Sequence, residues 1–480
     1  MKNWLIHIPQ KYWAYLALLF WGVMCFMLLN KSTYGIDEGA AQALLLVWSV
    51  VDSVVSSIVT LGLPDFRAVF LAPVGFLWTG NLIAAKIFTI LMMSVVAWAF
   101  HSWRRRSGDS EGSLLATGLL LISPLVLNQI DSIAVAPYLL FTFVLGAWAD
   151  LKYRESPQAF GGMYFAQILL CLVSVTLHPA GLAYPLALLW SWYKAPITKK
   201  QQSYYFVGVI FTVVIGLILT AGWSHVGWFA NPMKGLSGIL FGPGHTKGLG
   251  ADKWISGLGM LFVLLVVIWK QAKNLWSDFL GRILLAAFII SMLTGDATLG
   301  LIGLTICLYW GLPLLLQNDP DLKGGFWQQR GVVLVLIFVV STTYMMIDKE
   351  NYQNMLAGQL EPSDSLIKSF VEDIARLPND GNKQNVPVDK PMRIASQWPA
   401  RTMLACRCDT LALPPAAKDE QALFAMLQGL KYLIFDPRDP ENRSLSHNLA
   451  LMDAGKVATV ALQRGGVIVE INQSQKLPKK

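Results

Sequence analysis

The first candidate for chemistry in this chain is an adjacent pair of carboxylates, Asp37 and Glu38. An apolar run over 12–29 precedes the pair, and a second apolar run begins at Ala40. A carboxylate beside a cavity can accept a proton from an attacking hydroxyl or amine, or it can position a cation. A solvated loop is the alternative interpretation of such a pair. We predict a catalytic site here, with Asp37 as the base and Glu38 as its helper or structural partner.

The composition places the chain among membrane proteins. Of its 480 residues, 54% are hydrophobic and 14% are charged, whereas soluble proteins carry about 25% charged residues. The net charge of +8 is spread over small clusters of Lys and Arg. Because no basic block resembles a nucleic-acid-binding tail, we expect no nucleic-acid partner and interpret the clusters as a signal of topology. A basic chain also suits contact with anionic membrane lipids.

Long apolar stretches predict transmembrane helices. Stretches of about 18 residues predict about eleven spans, near 12–29, 83–101, 113–129, 132–150, 160–177, 180–193, 204–223, 254–270, 282–295, 298–316 and 331–347. Alternate loops in this order carry Lys and Arg, whereas the short loops near 129–131, 178–179 and 296–297 carry neither. Positive residues mark the cytoplasmic side, so the N-terminus is predicted inside and the C-terminal tail outside. The predicted fold class is a polytopic α-helical membrane protein with an outer α/β domain.

Three larger segments fall on the predicted outer side: 30–82, 224–253 and the tail. We predict a transmembrane domain over 1–347, which includes the first two segments, and a separate domain over 348–480. Polar residues within the apolar stretch 40–60 share about one helical stripe, which predicts a helix lying in the membrane interface. An ordinary span is the alternative, but it would reverse every later loop and place Asp52 in the bilayer.

The tail alternates predicted strands and helices. Strands are predicted at 393–397, 432–435, 457–462 and 467–471, with helices at 419–430 and near 448–455. This alternation over about 90 residues predicts a small α/β domain. Cys406 and Cys408 lie in it. We expect them to be a structural or reducible pair, although a bridge between residues i and i+2 is geometrically unfavourable.

The first outer segment carries an ordered set of short motifs. They are Gly35-Ile36-Asp37-Glu38-Gly39, Pro64-Asp65-Phe66-Arg67, Ala72-Pro73-Val74-Gly75-Phe76-Leu77-Trp78 and Gly80-Asn81-Leu82-Ile83-Ala84-Ala85-Lys86. This order resembles the glycosyltransferase-C superfamily of polyprenyl-phosphate-sugar-dependent enzymes, which includes protein mannosyltransferases and lipid A aminoarabinose transferases. Lys86 stands where that superfamily usually has Arg. His178 falls where many members have Thr-Lys-Gly, so it is a second departure.

The resemblance implies roles for residues beyond the acidic pair. Arg67 is the candidate contact to a lipid phosphate, because a planar guanidinium suits phosphate oxygens. Lys86 is a second phosphate candidate, and a side chain that reaches to the interface is its alternative. Asp131 resembles the acidic residue before the fourth span, and a helix N-cap is its alternative. His178 and His245 are candidate contacts to the sugar donor. The alternative for His178 is a loop histidine without a role. The alternative for His245 is that its glycine-rich segment only forms turns.

The implied activity is a transfer of sugar from a polyprenyl-phosphate donor to a lipid, glycan or protein acceptor. The superfamily layout implies a multi-pass protein of the cell inner membrane, with a cytoplasmic N-terminus and a periplasmic C-terminal domain. The chemistry fits the residues: the attacking acceptor loses a proton to a carboxylate, and the departing phosphate needs a cationic partner. The polyprenyl chain needs an apolar groove.

Cofactor need and function class remain open in the sequence. A divalent metal site could be built from Asp37, Glu38 and a histidine, but no close ligand spacing supports it, so no cofactor is expected. A transporter or flippase for lipid-linked glycans would share the apolar spans, although we find no inverted repeat. A non-catalytic assembly protein that docks partners through its tail is a further alternative.

Overall fold

The computed structural model describes most of the helical region and much of the tail. It covers residues 10–28, 35–51, 65–106, 110–155, 161–194, 199–220, 251–294, 298–312, 362–374, 393–415, 417, 419–439, 442–452, 456–463 and 466–472. The predicted span 331–347 lies outside these residues. So do residues 224–250 of the predicted outer segment 224–253, among them His245. Residues 251–253 already belong to a helix.

The chain divides into two compact units. One contains residues 1–29 and 86–350, and the other contains 30–85 and 351–480. The sequence predicts that the first outer segment belongs to a domain over 1–347. In the structure it belongs instead to the same compact unit as the C-terminal region. The cause is packing, because the helix that carries Glu38 contacts a helix of the tail.

The first unit is helical throughout its described residues. Helices are numbered in chain order, and α2 and α3 belong to the other unit. The described helices of the first unit are α1 Gln10–Leu28, α4 Leu82–Arg106, α5 Ser110–Leu121, α6 Pro124–Asp131, α7 Val135–Glu155, α8 Gly162–Leu177, α9 Ala183–Lys194, α10 Lys199–Leu219, α11 Ala251–Ser277, α12 Phe279–Thr294 and α13 Thr298–Ile306. A 3₁₀ turn, Pro179–Leu182, joins α8 to α9, and a π-helical turn, Cys307–Gly311, extends α13. These elements coincide with ten of the predicted spans.

Three described helices are long and apolar enough to cross a membrane, namely Leu82–Arg106, Val135–Glu155 and Gln202–Leu219. Shorter apolar helices accompany them, among them Gly162–Leu177 and Phe279–Thr294. Basic residues end two of the long helices, Arg104–Arg106 on α4 and Lys152 with Arg154 on α7. Positive charge at a helix C-terminus is favourable to the helix dipole, and it is also the pattern that marks a cytoplasmic end.

The second unit holds two helices from the first outer segment. They are α2, Glu38–Val51, and α3, Arg67–Leu77, and they pack against each other. Gly75 of α3 lies so close to α2 that a Cβ there would be 2.4 Å from the Val47 side chain. The small residue lets the two helix backbones approach, which brings the N-terminal ends of α2 and α3 into one cluster.

The tail forms a mixed sheet with the strand order β2-β1-β3-β5-β4. Its strands are β1 Arg393–Ser396, β2 Asp409–Ala412, β3 Tyr432–Phe435, β4 Val457–Gln463 and β5 Gly466–Ile471. β1 pairs in parallel with β2 and β3, whereas β5 is antiparallel to β3 and β4. Four helices accompany the sheet: α14 Pro362–Ser369, α15 Pro399–Cys406, α16 Glu420–Met426 and α17 Arg443–Leu451.

Three elements of the tail were not predicted: α14, α15 and β2. Asp409 and Ala412 have low strand propensity, and Asp409–Ala412 becomes a strand because β1 pairs with it along four residues. α15 begins with Pro399 at its first turn, where the missing N–H of proline costs nothing. It ends at Arg407, whose φ of 56° is left-handed. The Sγ atoms of Cys406 and Cys408 meet across that residue as a disulfide.

Gly146 and Gly118 offer a matched pair of alanine substitutions in the first unit. A Cβ at Gly146 of α7 would lie 2.4 Å from the Tyr184 ring, whereas one at Gly118 of α5 would meet no described atom within 4 Å. We expect Gly146→Ala to lower the free energy of unfolding by about 1–3 kcal/mol through overpacking. Gly118→Ala should raise it by up to about 1 kcal/mol, because alanine favours the helix more than glycine does. Thermal unfolding of the purified protein in detergent measures both, and equal Tm values for the two variants would contradict this packing.

Candidate functional site

Arg67 and two carboxylates form a compact ionic cluster in the second unit. The Arg67 guanidinium binds Asp65 in a fork, with Nε 2.9 Å from Oδ1 and Nη2 2.6 Å from Oδ2. Its Nη1 lies 2.7 Å from Oδ2 of Asp37. The Arg67 backbone N–H also donates to Asp65 Oδ1 at 2.9 Å, so Asp65 satisfies a donor at the start of α3. The cluster thus joins the beginning of α3 to the residue that precedes α2.

The three side chains of this cluster differ in exposure. Arg67 is 5% exposed, whereas Asp37 is 48% exposed. Burial alone would lower the pKa of Arg67, but the charges and hydrogen bonds of Asp65 and Asp37 raise it above its ordinary value. A buried cation therefore holds a carboxylate that is open to an approaching group. The guanidinium is engaged by carboxylates, so these contacts favour a positioning role toward Asp37; the predicted phosphate contact of Arg67 stays a prediction.

The glycines that flank Asp37 have separate structural reasons. A Cβ at Gly39 would lie 1.9 Å from Nη2 of Arg67 and 2.4 Å from Oδ2 of Asp65, so a larger residue would displace the guanidinium. Gly35 has a φ of 85°, in the left-handed region that favours glycine. The motif Gly-Ile-Asp-Glu-Gly is therefore explained at both ends by the geometry around its first carboxylate.

Glu38 is bound by the N-terminus of α15. Its Oε1 accepts from the Ala400 N–H at 2.6 Å, and its Oε2 accepts from the Arg401 N–H at 3.2 Å. Carboxylates are favoured at such helix ends by the exposed N–H groups and the helix dipole. Burial raises the pKa of Glu38, opposed by these two N–H groups and by the Arg401 charge. Of its two predicted roles, these contacts support that of a structural partner.

Lys86 and Asp131 form an ion pair in the first unit. Lys86 Nζ lies 2.8 Å from Asp131 Oδ1, and the lysine side chain is only 1% exposed. The alternative in which Lys86 reaches out to the interface is therefore wrong. Asp131 is the last residue of α6, and α7 begins at Val135, so it is not the N-cap of the fourth span either. A carboxylate at the end of a helix opposes the helix dipole, and the Lys86 charge compensates for it.

His178 lies between α8 and α9. Its Nδ1 accepts from the Ala180 N–H at 3.1 Å, so the ring caps the 3₁₀ turn Pro179–Leu182. This contact gives the ring a local structural role, and its predicted donor contact stays a prediction. The predicted contact of His245 lies outside the described residues. Within the described residues, no group of three or more His, Cys, Asp and Glu side chains is placed to hold a metal ion.

The structure adds residues that sequence reasoning did not single out, above all Asp65, Asp364 and Arg401. Asp65 had a signal, because an Asp two residues before a helix start often binds the first free N–H groups. Asp364 and Arg401 had none, because they reach the acidic pair from more than three hundred residues away in sequence. Only the folded chain brings them together.

The raised pKa of Glu38 makes a prediction for stability. The folded state binds the Glu38 proton more tightly than the unfolded state, so this group stabilises the fold at low pH and loses that contribution as pH rises through its folded pKa. We therefore expect the Tm of the wild type, relative to Glu38→Gln, to fall as pH rises above the ordinary glutamate pKa of 4.5. Other titrating groups cancel in this difference. A difference that grows with pH would contradict the assignment.

No family model matches this sequence, and no curated protein matches it by sequence. Solved structures do match its fold. The oligosaccharyltransferase AglB from Archaeoglobus fulgidus, in complex with an inhibitory peptide and a dolichol-phosphate, is 10% identical, with a TM-score of 0.52, over 92% of this chain and 71% of that chain. ArnT from Cupriavidus metallidurans, bound to undecaprenyl phosphate, is 14% identical, with a TM-score of 0.51, over 98% of this chain and 100% of that chain.

At these identities the likeness shows the fold alone. It extends over nearly the whole of this chain in both comparisons. The resemblance to the glycosyltransferase-C superfamily that the first outer segment predicts is confirmed at the level of the fold. The chain shares its fold with these two solved proteins.

Proposed function

We propose that this protein is an integral membrane glycosyltransferase that uses a polyprenyl-phosphate-linked sugar. The acceptor is a lipid, a glycan or a protein, and the reaction takes place on the periplasmic side of the inner membrane. The observation that carries the proposal is the half-exposed carboxylate of Asp37, held 2.7 Å from a buried arginine in a chain of this fold. Solved proteins of the same fold bind dolichol-phosphate and undecaprenyl phosphate, which supports the choice of donor class.

Asp37 is the proposed general base. As the acceptor oxygen or nitrogen attacks the anomeric carbon, it must lose its proton, and a carboxylate within hydrogen-bond reach can take it. The bond between that carbon and the phosphate oxygen breaks in the same displacement. Arg67 fixes one oxygen of Asp37, and the exposure of the side chain lets an acceptor approach. Orientation of a base in advance is a large part of its catalytic effect.

Lys86 is the proposed contact for the departing phosphate. Negative charge grows on the phosphate as the sugar leaves, so a fixed cation stabilises the transition state. Asp131 Oδ1 accepts from the Lys86 ammonium at 2.8 Å. Asp131 would then orient the ammonium and would not itself contact the donor. His178 and His245 stay candidate donor contacts, with the alternatives stated for them above.

The test is transfer of radiolabelled sugar from a panel of polyprenyl-phosphate sugars by the purified protein. We expect Asp37→Asn to lower kcat by roughly 10²-fold or more, because the amide cannot accept the proton. Unchanged Tm and membrane insertion would show that the variant is folded. Glu155→Gln is the matched control, because that carboxylate is exposed and its ion pair within the described residues is with the neighbouring Lys152.

Two outcomes would reject the proposal. Full transfer by Asp37→Asn would remove the base from the mechanism. Movement of the labelled lipid across vesicles by the wild type, without formation of a new glycosidic product, would favour the transporter alternative instead.

A further inference from the structure

Asp364 and Arg401 contact residues on both sides of Asp37, the backbone of Gly35 and the side chain of Glu38. The Gly35 N–H donates to Asp364 Oδ2 at 3.1 Å, two residues before Asp37. The Arg401 N–H donates to Glu38 Oε2 at 3.2 Å, one residue after it. The guanidinium of Arg401 pairs with Asp364 Oδ1. A closed chain of contacts therefore runs from Gly35 through Asp364 and Arg401 back to Glu38.

This chain of contacts is buried. The side chains of Asp364 and Arg401 are 4% and 11% exposed. Arg401 is held further by the Ser363 hydroxyl, which accepts from Nη2 at 2.9 Å, and its guanidinium lies 5.9 Å from the centre of the Trp398 ring. A buried ion pair with supporting hydrogen bonds has a fixed geometry, and removal of one partner leaves an uncompensated charge. The pair is thus a rigid anchor on the tail side of this unit.

The segment held by these contacts is the backbone just before α2. Gly35 has a left-handed φ of 85° and, with Ile36, precedes α2, which begins at Glu38, whereas the Asp37 carbonyl accepts from the Ala41 N–H at 3.0 Å. Asp37 itself is half exposed and is held by its contact with Arg67. Without fixed flanks, its carboxylate would sample a range of positions around the guanidinium.

We propose that Asp364 and Arg401 are positioning residues for the catalytic carboxylate. They hold the backbone from Gly35 to Glu38 so that Asp37 keeps one orientation toward Arg67 and the acceptor. The tail is then part of the transferase site, through the residues of α14 and α15, and acts on the rate of the chemical step. This inference rests on the proposed function of Asp37 as the base.

The contacts separate this role from substrate binding. Neither Asp364 nor Arg401 carries the proton in the proposed reaction, and both act through backbone groups. A loss of orientation lowers kcat, whereas a loss of a substrate contact raises KM. A general loss of folding would lower the amount of active protein and the Tm together.

The experiment is a double-mutant cycle with Asp364→Ala and Arg401→Ala in the full-length protein. We expect each variant to lower kcat by roughly ten- to a hundredfold with little change in donor KM. The double variant should be no slower than the slower single variant, because both break the same anchor. Arg401→Lys keeps the positive charge that Arg401→Ala removes, so it should restore part of the rate; the backbone N–H that binds Glu38 is present in both variants.

Arg407→Ala is the matched control. Its guanidinium lies 5.5 Å from the centre of the Trp48 ring, so this residue also joins α15 to α2, but at a distance from Gly35 and Glu38. We expect its kcat to equal that of the wild type. A loss of rate equal to that of Arg401→Ala would mean that any weakened contact between the two helices has the same effect, and it would overturn the positioning role.

A second readout is independent of sugar transfer. Hydrogen exchange, followed by mass spectrometry of a peptide that covers 35–41, should become faster in Arg401→Ala and stay unchanged in Arg407→Ala. If the wild type transfers no sugar from any donor, the proposed function fails, while faster exchange would still support the anchor. Unchanged exchange overturns the anchor, and faster exchange with an unchanged kcat overturns its effect on the reaction.

Discussion

The organisation of the site depends on one buried guanidinium that needs negative charge around it. Arg67 lies at the start of α3 and is nearly inaccessible, so its cation must be compensated within the fold. Asp65 supplies one carboxylate from the same turn, in a bidentate fork. Asp37 supplies the other and stays open to solvent. The same ionic contact that makes the arginine tolerable in the interior fixes a reactive carboxylate at the surface.

The surrounding backbone follows from that contact. Gly39 leaves the volume that the Arg67 guanidinium occupies, and Gly75 lets α3 approach α2. Glu38 turns away from the cluster and binds the first N–H groups of α15. Two adjacent carboxylates thereby have different partners: Asp37 lies beside the Arg67 cation, and Glu38 joins the outer segment to the tail. This division explains why residues 30–85 and 351–480 form one compact unit.

Sequence patterns predicted the helices and strands well, but they did not predict which side chains contact one another. Apolar length located ten helical segments, and alternation located β1, β3, β4 and β5, because both signals are local. β2 was missed because Asp409 and Ala412 have low strand propensity, and its pairing with β1 is decided by the sheet. The acidic pair and Arg67 were identified from residue type and order. Their distances were not, since the contacts of Lys86 with Asp131 and of Glu38 with α15 join distant parts of the chain. Burial and partners support a structural role for Glu38 and place Lys86 in an ion pair with Asp131.

The most direct test of whether Arg67 positions Asp37 is a double-mutant cycle between the two residues, with kcat as the measured quantity. If Arg67 acts by holding Asp37, then Arg67→Gln should slow transfer strongly in the wild type and have almost no further effect once Asp37→Asn is present, a coupling of about 2 kcal/mol or more. Additive losses, with Arg67→Gln slowing the Asp37→Asn protein by the same factor as the wild type, would show that the two residues act separately and would contradict the account.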